Sequence, residues 1–331
     1  MKKIASLSKE EREELFLNTA NKIGIPPAIV EKDFWVCYML DYLFHRSAWK
    51  ESIVFKGGTS LSKAYHLIDR FSEDIDLILD WRLLGYGCNE PWEPRSNTQQ
   101  DKFSQSSEKK TILLLENSFI PMLRKEVANE IGETVNVFLE KEGEPTVNFA
   151  YPQVFTDNSI LQVIRLEIGA LAAWSPSQDA VITSLAAEQY PHVFANPDTV
   201  IRTAVPERTF WEKVTILHRE ANRIRGEFPG RYSRHYYDLY QMSESTVKTR
   251  AFHDLDLLKD VVAFKMKFYR CPWAKYEEAV PGTIKLIPSE QYFAKLQDDY
   301  SKMRNMIYGT VPSFDQIVER IKELEEEINR L

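Results

Sequence analysis

Residues 74–80 read Asp-Ile-Asp-Leu-Ile-Leu-Asp, and this short stretch restricts the fold more than any other part of the chain. Ile75, Leu77 and Leu79 alternate with Asp74, Asp76 and Asp80. That period-2 pattern predicts a strand with one apolar and one acidic face. Two residues along a strand cover roughly 6.6 Å, so Asp74 and Asp76 stand side by side. Paired catalytic metals sit about 3.5–4 Å apart, so these carboxylates can share one ion or bridge two. Without a cation they repel each other, and one of them tends to take up a proton. Magnesium suits such a pair, because it binds through a few carboxylates together with substrate phosphates.

A turn lies just upstream. Ile53-Val54-Phe55 has the character of a short buried strand, followed by Lys56-Gly57-Gly58-Thr59-Ser60. Gly57 and Gly58 permit positive φ and close backbone approach. Thr59 or Ser60 can cap a helix that carries Leu61, Ala64, Tyr65 and Ile68 at helical spacing. A helix N-terminus is a seat for phosphate. A Gly-Gly pair alone is usually only a turn, and an Asp-x-Asp alone is usually a solvated strand face. Strand, glycine turn, helix and acidic strand in close succession point to a nucleoside triphosphate held on magnesium. Neither Gly-x-x-x-x-Gly-Lys-Ser nor Gly-x-Gly-x-x-Gly occurs, which excludes a Walker loop and a dinucleotide fingerprint.

Further along, residues 85–107 are polar and carry Pro91 and Pro94, which predicts a long mobile loop able to gate a site, or an idle insertion. A helix is expected over 108–131, then strands near 134–139, 146–150 and 161–168. Pro206 starts a helix whose apolar stripe is Phe210, Val214 and Leu217, with Lys213 at its edge. A lysine there ordinarily reaches back to water. Residues 218–235 are basic, with Arg219, Arg223, Arg225, Arg231 and Arg234 interleaved with Tyr232. Arginine with aromatics suits RNA backbone and unstacked bases; a solvated helix end is the plain alternative. Asp238 follows Arg234 by one helical turn, which permits a local ion pair.

Taken together, Lys56-Gly57-Gly58-Thr59-Ser60-Leu61 and Arg70-x-Ser72-x-Asp74-x-Asp76 resemble the signature of the AbiEii/AbiGii-type nucleotidyltransferase toxins, MenT-like members of the DNA polymerase β-like nucleotidyltransferase superfamily. Glu31-Lys32-Asp33-Phe34-Trp35, Glu212-Lys213-Val214 and Arg234-His235-Tyr236-Tyr237-Asp238-Leu239 resemble further segments of that group. The last motif carries His235 where the group often has Asp, so Asp238 is its one acid. The resemblance implies an α+β fold: a nucleotidyltransferase-like mixed sheet with flanking helices over 1–205, and a mainly helical region over 206–331. It implies transfer of a nucleoside monophosphate from an NTP to an acceptor, with Mg2+ as cofactor. It implies metal ligation by Asp74 and Asp76, with Glu167 as a third carboxylate unless Glu167 simply pairs with Arg165. Gly57, Gly58, Thr59 and Ser60 would cradle phosphates. Lys213 would meet the triphosphate, and Asp238 would orient Lys213 or the nucleotide. RNA, notably a tRNA 3′ end, would be the acceptor, and an antitoxin would be the partner in phage defence.

Composition limits the alternatives. With 331 residues and 44% hydrophobic content, two domains with sizeable cores are possible. A net charge of −7 means that any RNA contact must come from a local basic patch. Cys37, Cys88 and Cys271 form no Cys-x-x-Cys pair, so neither a disulfide framework nor a zinc site is expected, and a cytoplasmic setting fits. The apolar run Phe34–Leu40 is far too short to cross a bilayer. Two other readings stay open: the same chemistry on a protein side chain or small molecule, and a catalytically silent binding protein on this fold.

Overall fold

A computed structural model describes residues 1–140, 145–157, 160–171 and 176–331. The chain divides into two compact units. The first takes in residues 1–64, 73–171 and 177–203; the second takes in 65–72, Pro176 and 204–331.

The first unit is built on a seven-stranded mixed sheet. Its strands are β1 (Ile53–Lys56), β2 (Asp74–Leu79), β3 (Asn136–Glu140), β4 (Thr146–Ala150), β5 (Ile164–Gly169), β6 (Ser177–Thr183) and β7 (Asp198–Ala204). Their order is β3-β4-β5-β2-β1-β7-β6. β2 runs antiparallel to β1 and parallel to β5, and β1 runs parallel to β7. The alternation seen in the sequence decides which face is inside. Ile75, Leu77, Val147, Phe149, Ile164 and Leu166 are buried in the core with Phe34, Trp35 and Tyr38. The last three belong to the helix Pro27–His45, whose Trp35 ring lies 6.0 Å from that of Phe149. This helix is buried on nearly all sides, so its charged residues must be paired internally. Glu31 accepts hydrogen bonds from the backbone N–H groups of Val154 and Phe155, at 2.7 and 2.9 Å. Lys32 pairs with Glu73, and Asp33 pairs with Lys63 while accepting from the N–H of Leu185 at 2.7 Å.

Three local expectations are corrected. The helix after the diglycine turn spans only Gly57–Lys63, with Lys56 at its N-cap and no side-chain cap, so neither Thr59 nor Ser60 caps it. It stops short of Ile68, and His66 takes a left-handed φ of 50° that a helix cannot continue through. Asp80 lies beyond the end of β2; it caps the short turn Trp81–Leu84 by accepting from the N–H of Arg82. The polar stretch 85–107 is not one long loop, because a helix begins at Asn97 and runs to Leu114. Ser96 and Gln99 form a reciprocal capping box there, a signal that the polar composition masked.

The second unit is helical. Pro206–Ala221 packs against Ser233–Ser243, Thr246–His253 and Leu255–Phe268. Ser233–Ser243 also packs against Phe293–Met303 and Phe314–Asn329. A division at 205/206 overlooks Tyr65–Ser72, which belongs here. The backbone explains why: Phe71 N–H donates to Met306 at 2.7 Å, and Tyr308 N–H donates to Asp69 at 2.6 Å. No described helix is long and apolar enough to cross a membrane.

Candidate active site

In the first unit, the acidic face of β2 meets the diglycine turn. Lys56 of β1 is opposite Asp76 in register, so Gly57 arrives directly beside that carboxylate. Gly57 has φ +83°, and a Cβ built on it would overlap the Asp76 carboxyl group, 2.6 Å from its Cγ. Glycine is therefore required twice, by backbone conformation and by the close approach of Asp76. The two hydroxyls downstream hold the turn together. Ser60 donates to the carbonyl of Gly57 at 2.8 Å, and Thr59 donates to the carbonyl of Asp74. Both side chains are buried, so their visible role is to fix the turn against the acidic strand.

On the other side of β2, parallel pairing places Asp74 beside Arg165 and Asp76 beside Glu167. Residues opposite one another on neighbouring strands project from the same face. The arrangement thus gathers Asp74, Asp76 and Glu167 on one half-buried surface. Arg165 supplies a counter-charge within it. Its guanidinium lies 3.5 Å from Asp74, 3.5 Å from Glu140 and 3.7 Å from Glu167. The pairing of Glu167 with Arg165 that the sequence allowed is present, and so is the neighbourhood with Asp76 that a metal ligand needs. The parallel register is a long-range property that no local pattern reveals.

In the second unit, Lys213 and Asp238 come together. Lys213 is buried, not snorkelling, and donates to Asp238 at 2.7 Å. Arg70 grips the same carboxylate with two parallel bonds of 2.7 and 2.8 Å. Asp238 is fully buried. Burial by itself would push its carboxyl up, but Arg70 and then Lys213 overturn this and hold it well below the usual carboxylate range. Lys213 is lowered by burial, with Asp238 opposing. Its ammonium also lies 3.1 Å from His235 Nδ1. Burial, then the nearby Lys213 and Arg234 charges, push His235 well below its ordinary value. His235 is therefore neutral at pH 7 and can accept a bond from Lys213 at Nδ1. Arg70 was not singled out as a site residue; its place in Arg70-x-Ser72-x-Asp74 was the available signal. Among the other basic residues, Arg219 and Arg223 hold the buried Glu220, and both lie over the Trp273 ring.

A family model described as "Nucleotidyl transferase AbiEii toxin, Type IV TA system" matches residues 40–320. The chain belongs to the AbiEii nucleotidyltransferase toxin family. The match takes in the turn Gly57–Ser60, Asp74, Asp76, Glu167, Lys213 and Asp238, and leaves Glu31–Trp35 outside. The solved structure of MenT4, a nucleotidyltransferase toxin from Mycobacterium tuberculosis H37Rv, is similar at 15% identity and a TM-score of 0.41, over 90% of this chain and 99% of that one. No curated protein sequence matches this chain.

The acidic face can be tested for a divalent ion by its donors. Asp74 and Asp76 offer hard carboxylate oxygens, and the Asp76 carboxylate takes the place that a Cβ on Gly57 would fill. Among the described residues no three acidic, histidine or cysteine side chains form a ready-made cage. Magnesium needs none, because it uses one or two carboxylates and completes its shell with water and substrate phosphate. The residues fit an ion that arrives with its nucleotide.

Proposed function

We propose that this chain is a magnesium-dependent nucleotidyltransferase that moves a nucleoside monophosphate from an NTP to RNA, with a tRNA 3′ end as the preferred acceptor. It would act as the toxin of a toxin–antitoxin pair in abortive-infection phage defence, restrained by a cognate antitoxin. The observation that carries this reading is the close packing of the Asp76 carboxylate against Gly57, with Asp74 beside it on the same strand face.

Asp74 and Asp76 would hold the ion, and Glu167 would support it from β5. When bound, magnesium would supply charge neutralisation for the phosphates and make an acceptor hydroxyl easier to deprotonate. Gly57 and Gly58 bring bare backbone to the phosphates, while Thr59 and Ser60 keep that turn in place. Arg165, 3.5 Å from Asp74, steers that carboxylate by its position. Lys213 is assigned to the negative charge that gathers on the departing pyrophosphate, with Asp238 and His235 setting its direction.

The test supplies each α-labelled triphosphate with magnesium and total RNA to wild type and to Asp76→Ala. Label entering a discrete RNA band only with wild type is the expected result. Label on protein or on small molecules overturns RNA as acceptor. Absence of any transfer, with nucleotide binding unchanged by Asp76→Ala, overturns the enzyme reading.

A further inference from the structure

The second unit contains a cavity of about 220 Å³ lined by Arg70, Arg231, Ser233, Arg234, Lys302 and Met303, with Asp299 and Met306 completing it. Four cationic side chains face it and one carboxylate does, in a chain whose net charge is −7. That carboxylate does not neutralise them. Asp299 accepts from the N–H of Arg231 at 2.6 Å, and from the N–H and hydroxyl of Ser233 at 2.8 and 2.6 Å. It therefore fastens the backbone that presents the arginines. Arg70 is satisfied by Asp238, and Lys302 by Asp298 at 2.6 Å.

Arg231 and Arg234 differ from these. Among the described residues neither has a salt-bridge partner, whereas Arg219 and Arg223 of the same basic run share Glu220. The Nε of Arg234 is shielded from solvent and has no hydrogen-bond acceptor. A desolvated charged donor without a partner is costly, and an acceptor from a ligand would relieve it. Arg231 keeps a left-handed φ of 60°, a conformation that costs an L side chain energy and is held here by Asp299. The apolar part of the lining comes from Met303 and Met306, whose thioethers favour aromatic faces. Guanidinium forks match phosphate oxygens bidentately. The volume lies below the roughly 300 Å³ at which pockets for drug-sized ligands begin, so it suits one end of a ligand.

We infer that this cavity is a binding site for a phosphate-bearing nucleotide unit, with Arg231 and Arg234 on the phosphate and Met303 and Met306 beneath the base. A free nucleotide and the end of an RNA strand share that chemistry. The inference concerns binding by the second unit alone and does not depend on the transfer reaction.

The test uses the full chain, with AMP titrated by calorimetry and a 5′-labelled single-stranded RNA pentanucleotide followed by anisotropy. At least one probe is expected to bind. Arg231→Gly and Arg234→Gln should each weaken that probe about tenfold, and each should lower the salt slope of RNA binding by about 0.7. Arg231→Gly also relieves the left-handed strain, so a loss of binding there is not a loss of fold. Lys302→Gln changes an exposed side chain and should weaken binding in the same direction, which covers the case of a misfolded Arg234 variant. Lys322→Gln, on the exposed side of another helix, should bind as wild type. AMP binding assigns the site to free nucleotide, and RNA binding without AMP assigns it to a strand end. The inference is overturned if neither probe binds, or if the arginine variants bind within about twofold of wild type. The titrations are run in chelator, where the acidic face of β2 holds no ion, which separates this binding from the transfer reaction.

Discussion

Gly57 is the residue where backbone and chemistry are least separable. Gly57→Ala must place a methyl group into the Asp76 carboxylate at φ +83°. Gly24 supplies a comparison, because it has φ +73° with nothing near its missing Cβ. Gly24→Ala is expected to cost about 1–2 kcal/mol for the left-handed conformation alone. Gly57→Ala is expected to cost more and to reduce nucleotidyl transfer by at least about a hundredfold, or roughly 2.7 kcal/mol in transition-state stabilisation. Thermal melts and label incorporation on both variants check this, and equal effects would remove Gly57 from the site. The diglycine was legible in the sequence as a turn. That one of its glycines faces a carboxylate was not, because the approach depends on the pairing of Lys56 with Asp76 across β1 and β2.

At the same scale, Asp238 sits between Arg70 and Lys213 with no exposure. Asp238→Asn leaves two buried cations without their counter-charge and is expected to destabilise by about 3–5 kcal/mol. Chemical denaturation measures it. The pH dependence has a defined sign. Asp238 has a depressed folded pKa, so its contribution is complete above the ordinary carboxylate value and is lost as pH falls through and below that range. His235 is also depressed, so it stabilises above about pH 6.5 and loses that contribution as pH falls further. His218, depressed mainly by burial, adds to the same window. Stability should therefore decline in two stages on acidification, and His235→Gln should shrink the stage that begins near neutrality. Melts from pH 8 to pH 3 that show one stage, unchanged by His235→Gln, would contradict the assignment.

Among elements, β2 and β5 form the pair that matters. Their parallel register sets Asp74, Asp76 and Glu167 on one face around Arg165. Arg165→Gln removes a guanidinium from among these carboxylates. The variant is expected to melt lower than wild type in chelator and to recover part of the difference in millimolar magnesium. An equal loss with and without magnesium would argue that the face binds no ion. The sequence shows β1 to β5 and the helix that starts at Pro206, but gives no expectation of β6 or β7. The polar composition of 85–107 hides the helix that begins at Asn97, although Ser96-x-x-Gln99 is a start signal. Ser96→Ala should cost about 1 kcal/mol and fray the start of Asn97–Leu114, measurable by hydrogen exchange.

For the whole molecule, the division into units does not follow chain order. Tyr65–Ser72 belongs with 204–331, to which it donates Arg70 and the backbone partners of Met306 and Tyr308. An isolated 204–331 chain lacks these partners and leaves Asp238 bound to Lys213 alone. It is expected to lack a cooperative melt, and cooperative folding of that fragment would show that the segment is dispensable. The net charge of −7 acts at this scale as well. It confines any RNA contact to local basic features such as the cavity around Arg231 and Arg234.

Local alternation, glycine placement and motif order were sufficient to determine the acidic strand, the turn before it, the mixed α+β character and the family. These are properties of neighbouring residues, where side-chain period and backbone freedom act directly. Tertiary structure decided which groups face one another: Asp76 with Gly57, Arg165 with Asp74, and Arg70 and Lys213 with Asp238. Those partners are separated by tens to more than a hundred residues in the chain. Strand register and the burial of paired ions bring them together, and both arise only when the core is packed.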